Sequence, residues 1–157
     1  MSLSLEFVVG DSDEIIRAVK DEDFDQISKL EENGQVADFN LHIIPNDLNF
    51  LVYSACELRG LHEKMGLREN CDFDNNFFDS EDRGACNVLK SIPELFSQFQ
   101  ISDSKILTEL WFSKLKLIYP KEEIQVSDNA IHSVRRLIEI SKMAVNTNLD
   151  LVHIWFL

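Results

Sequence analysis

The sequence predicts an α+β fold: a small sheet with a buried C-terminal strand, packed against several helices. Three observations predict it. Near the N-terminus Leu3, Leu5, Phe7 and Val9 alternate with other residues, the period of a half-buried strand. Residues 149–157, LDLVHIWFL, form a nearly continuous apolar run, as a strand covered on both faces does. Between them lie several segments with helix caps and amphipathic spacing. The 157 residues are expected to form a single globular domain, long enough to bury a core without disulfides or metals.

Taken in order, Gly10 ends the first strand. Asp11 with Glu14 three residues on reads as a capping box for a helix to about Lys20. A second helix is expected over residues 23–30, closed by Asn33-Gly34. Phe39, Leu41 and Ile43 alternate within residues 38–43 and predict a second strand. Pro45 suits the first turn of a helix, where a missing N–H costs nothing. Leu48, Leu51, Val52, Ala55 and Cys56 then form an apolar stripe, so this helix is expected to run to Gly60 or Gly66.

Residues 67–84 read as a long loop rich in Asp and Asn. A short helix is expected over residues 85–91, broken ahead of Pro93, with another turn or two to Phe99. Ser102 and Ser127 are good N-caps, each preceded by an apolar residue that can staple onto the fourth helical position, Ile106 and Ile131. These helices are expected to end near Ile118, ahead of Pro120, and near Val145.

Twenty-eight acidic against fifteen basic side chains give a net charge of −13, and the excess is localised. Residues 11–32 carry a net −6, residues 69–82 another −6, while residues 105–142 carry +2. A field of this sign repels phosphate backbones and anionic lipid surfaces, so neither nucleic acid nor membrane is an expected partner. It favours a basic protein partner, chiefly through the association rate. It also serves solubility alone in many acidic domains. The expected partner surface is the acidic loop and its aromatic residues: Asp72, Asp74, Asp79, Glu81, Asp82, Phe77 and Phe78.

Chemistry-bearing signatures are sparse. Asp72, Asp74 and Asn76 match the first, third and fifth positions of a calcium loop, but Phe77 stands where Gly is needed and Arg83 where a bidentate Glu is needed. Cys56, Cys71 and Cys86 are odd in number and lack a Cys-x-x-Cys spacing, which argues against a disulfide framework or thiolate zinc site and for a reducing, cytoplasmic setting. Cys71 is the most exposed candidate nucleophile, though nearby carboxylates disfavour its thiolate. Neither a nucleophile elbow nor a phosphate-cradling glycine loop occurs. No cofactor is expected, and the balance leans away from an enzyme. The alternative reading is a metal or acid/base site that uses His42 and His153, both on expected strands, with Asp38 or Asp47. A third is a homodimer formed through an uncovered sheet edge or an apolar helix face. Arg135, Arg136 and Lys142 form a small basic patch, expected to pair within the chain.

An opening strand leading to an acidic helix, the Ile44-Pro45-Asn46-Asp47-Leu48 helix start, and a long helix ending in Ala144 before the apolar strand together resemble the YfbM-like family of uncharacterised bacterial proteins. In charge and size the chain also resembles the small acidic immunity proteins of bacterial toxin systems. The latter resemblance implies a non-enzymatic protein-binding module that engages a basic partner, in an immunity or regulatory role. Neither resemblance supplies a functional residue.

Overall fold

A computed structural model describes residues 3–61, 66–72 and 76–157. The described residues form an α+β architecture with one antiparallel sheet between two helical layers. The strands are β1 (Ser4–Gly10), β2 (Val36–Asp38), β3 (Phe77–Asp79), β4 (Arg83–Val88) and β5 (Asp150–Phe156), in the spatial order β2-β1-β5-β4-β3. The C-terminal strand is central, as its apolar run requires. Its side chains alternate between layers: Leu151 joins one core, while Val152 and Ile154 join the other.

The smaller core packs helices α1 (Ser12–Lys20) and α2 (Phe24–Glu32) on Val8, Ala85, Val152 and Ile154, through Ile15, Ala18, Val19 and Ile27. Both helices start as their sequences dictate. The Asp11 carboxylate accepts from the Glu14 amide at 3.0 Å and Asp23 from Gln26 at 3.1 Å, each satisfying an orphan donor of the first turn. Gly34 follows α2 with φ +72°, a backbone shape that glycine adopts without strain.

The larger core lies on the opposite sheet face. It packs α3 (Asp47–Leu58), α4 (Ser91–Ser97), α5 (Ser104–Ile118) and α6 (Asp128–Thr147) against Leu5, Phe7, Val9 and Leu151. The Ser127 hydroxyl caps α6 by accepting from Ala130 at 3.1 Å, and Asn148 ends it in the left-handed region. No helix among the described residues is long and apolar enough to cross a membrane.

Five sequence expectations are corrected. Residues 85–91 are not a helix: β4 occupies most of them, because Gly84, Cys86 and Val88 face one layer and Ala85 the other, all buried. The loop expected over 67–84 contains a 3-10 turn (Arg68–Asn70) and the β3–β4 hairpin. The second strand is Val36–Asp38 rather than 38–43. Phe39 continues the pairing by one hydrogen bond to Leu5, and the chain then bends at His42, whose φ is +57°. Pro93 does not stop a helix but sits in the first turn of α4, where its missing N–H leaves no gap. Residue 102 lies in a 3-10 turn that precedes α5, which is tied instead by the Gln100 amide donating to Asp103 at 2.7 Å.

Candidate functional site

Two adjoining rows of side chains cross the sheet on the face of the larger core. The first runs Ala37, Phe7, His153, Cys86, Phe77, one residue from each strand in register. The second runs Leu5, Trp155, Gly84, Asp79. Over β1 and β2 this face is covered by α6. Over β3, β4 and β5 it opens into a cavity of about 330 Å³, within the size range of small-ligand sites.

Gly84 sets the position of one lining residue, Trp155. A Cβ built on it would lie 2.0 Å from Cζ2 of Trp155 and 2.8 Å from the Phe78 carbonyl oxygen. The absence of a side chain therefore lets the indole lie against β4. The ring contacts continue as a series, with centroids 4.9 Å apart for Phe7–His153, 5.5 Å for His153–Trp155 and 6.4 Å for Trp155–Phe77.

The opposite wall comes from Ile44, Pro45 and Asn46, with Leu67, Arg68 and Cys71 beside it. Asp47 fixes this turn. Its carboxylate accepts from the Ile44 amide at 3.0 Å and from the Tyr119 hydroxyl at 2.8 Å, while its carbonyl accepts from the buried Trp111 indole at 2.9 Å. A polar residue that was a candidate metal ligand in the sequence is thus fully engaged in holding the cavity wall.

His153 is the polar group of the floor and only 3% exposed. Its Nδ1 lies 3.1 Å from the Glu6 carbonyl oxygen. A carbonyl only accepts, so the Nδ1 proton is donated there and Nε2 carries a bare lone pair. Burial holds the imidazole pKa down at about 4, partly opposed by the bond to Glu6, so the ring is neutral at pH 7. Among the described residues no donor reaches Nε2. An unpaired buried acceptor of this kind costs ~1–3 kcal/mol.

Two of the thiols, Cys71 and Cys86, line the cavity. Cys71 is half-buried rather than exposed and donates to the Leu67 carbonyl at 3.4 Å. Hydrogen bonding to Cys71, together with burial, pushes the Cys86 thiol far above its ordinary value.

His42 and His153 do not share a cleft. His42 is exposed at the bend after β2 and is not among the residues lining the cavity. The Asp38 carboxylate accepts from the Asn40 amide at 2.7 Å. Among the described residues no three His, Cys, Asp or Glu side chains are grouped for a metal ion.

On the other sheet face the two acidic segments meet. Arg83 donates from Nε to the Val19 carbonyl at 2.9 Å and from Nη2 to the Lys20 carbonyl at 3.0 Å, at the C-terminal end of α1. Its Nη1 pairs with Glu22 at 3.0 Å and with Asp82 at 2.9 Å. Asp21, Glu22, Asp23, Asp25, Glu81 and Asp82 are all exposed at or near this junction. Phe24, 54% exposed, stands among them with its ring 5.7 Å from that of Phe156, the strand partner of Arg83.

The residues expected at a partner surface therefore divide. Glu81 and Asp82 occupy the hairpin turn at the junction. Phe78 packs on the smaller core under the Arg83 guanidinium, 5.9 Å from its ring centre. Phe77 and Asp79 line the cavity. Asp72 is half-buried, its amide bonded to the Asn87 carbonyl at 2.8 Å. Asp74 lies outside the described residues. Phe24 was missed; an aromatic residue flanked by Asp23 and Asp25 was the available signal. Arg135 and Arg136 both pair with Glu139 within α6, an internal use of that basic patch.

Comparison with protein-family models, curated proteins and solved structures finds no match.

Proposed function

We propose that the chain is a protein-binding module that engages a basic partner, in the manner of an immunity or regulatory protein, through the surface where residues 19–25 meet the hairpin turn at 80–83. The observation that carries this reading is the Arg83 junction. One guanidinium ties the end of α1 to the hairpin and so concentrates carboxylates from two distant segments around the exposed Phe24 ring. An apolar centre within a charged rim is the usual anatomy of a protein interface. The carboxylates would act mainly on the association rate.

The test uses an octalysine peptide as the probe, titrated at low and high salt. Neutralising Glu22, Asp23, Glu81 and Asp82 to their amides is expected to remove most of the binding. The matched control neutralises Glu109, Glu122, Glu123 and Asp128 and is expected to retain it. Equal losses in the two variants would mean that net charge alone attracts the peptide, and the surface assignment would fail.

A further inference from the structure

We propose that the cavity over β3, β4 and β5 is a binding site for a small planar aromatic group that carries one O–H or N–H donor, a phenol or an indole. This inference goes beyond the protein-binding reading and does not depend on it.

The buried end of the cavity selects for a donor. His153 lines it, with Nδ1 committed to the Glu6 carbonyl and Nε2 without a donor among the described residues. A carboxylate or phosphate would present only acceptors to this acceptor and is rejected. An ammonium group would bring three donors to one lone pair, leaving two of them desolvated. A single hydroxyl or ring N–H satisfies the floor.

The walls select for a flat ring. Trp155 lies against the Gly84 backbone, and Phe77 continues the series of rings. Aromatic faces and edges at these separations favour offset or edge contacts with a further ring. At the rim, Arg68 and Asp79 are both exposed and opposite in charge. That pair matches a neutral or dipolar substituent better than a net charge.

The test titrates the full chain, labelled with ¹⁵N in its histidines, with p-cresol and 3-methylindole. The controls are 4-methylanisole and 1,3-dimethylindole, which keep the ring and lose the donor. The donor-bearing probes are expected to bind at least about tenfold tighter and to shift the Nε2 resonance of His153. His153→Phe should erase the preference. Because the Nε2 shift is read on the unaltered chain, a variant that fails to fold leaves the test intact.

Equal binding of donor and donor-free probes, or no Nε2 shift up to the solubility limit, would overturn the proposal. A further arm compares p-cresol with the peptide Lys-Gly-Tyr-Gly-Lys. A peptide advantage that disappears in high salt assigns the ring to a partner's side chain. Binding no tighter than p-cresol assigns it to a free small molecule.

Discussion

The two faces of β4 hold polar groups in opposite ways. Arg83 faces α1, where a charged side chain gathers carboxylates in contact with water. Gly84 and Cys86 face the larger core, where Cys86 lines the cavity beside His153, whose ring is neutral and whose Nε2 is buried without a partner among the described residues. Carboxylates in water interact weakly and are screened by salt, so the first face changes how fast a partner arrives more than how stable the fold is. A desolvated acceptor is costly when unpaired, so the second face links stability to proton and ligand binding. A net charge of −13 points to the first face; the second, with one Arg and one Asp at its rim, has no excess of either sign and is the more chemically specific.

The largest expected effect comes from filling the cavity side. Gly84→Val places atoms where Trp155 lies and is expected to cost ~3–5 kcal/mol through overpacking and strand distortion. Urea unfolding would show it as a lower midpoint. Insertion at low cost would mean that the indole does not need this glycine.

Next is the pH dependence of His153. Its folded pKa of about 4 lies below the ordinary 6.5, so the folded state binds fewer protons than the unfolded chain. The associated stability is complete above about pH 6.5 and is lost as pH falls toward 4. The loss amounts to about 3 kcal/mol, taking 1.36 kcal/mol per unit of pKa difference. Denaturation across this range should show it in the wild type, and His153→Phe should remove that component.

On the charged face, Arg83→Ala is expected to cost ~2 kcal/mol. The change leaves the Val19 and Lys20 carbonyls without their charged donor, and the thermal midpoint reads it. A negligible loss would show that the two acidic segments are not held together by this residue.

The smallest effect is expected at Glu6. Burial first, then the negative charges of Asp38 and Glu31, raise its carboxyl pKa, against the lowering bond from Ser4. The folded state therefore favours the protonated form, and that stability is lost as pH rises through the folded pKa. Glu6→Gln should be slightly more stable than the wild type at pH 7, by under ~1 kcal/mol. The difference should close as pH falls below the ordinary value of 4.5.

Local physics made much of the fold legible. Asp11, Asp23 and Ser127 cap helices because a side-chain acceptor within reach of an orphan amide needs no tertiary context. β5 was legible because burial on both faces leaves few polar positions. β4 was not: Gly-Ala-Cys-Asn-Val has little β-branching, and its strand state depends on pairing with β5, distant in sequence. His153 was visible as a histidine on a strand. The cavity beside it was not, since it arises from register: Cys86 and Phe77 fall in its row, and Gly84 falls opposite Trp155. The convergence of the acidic segments likewise depends on α1 lying over β4.

The most direct test of this contrast is the ¹⁵N NMR titration of the His153 ring in the unliganded chain. The expected result is a neutral ring at pH 7 with its proton on Nδ1, and a midpoint at about 4. A ring protonated on Nε2, or one titrating near the ordinary 6.5, would contradict the assignment of Nε2 as a buried acceptor at the cavity floor.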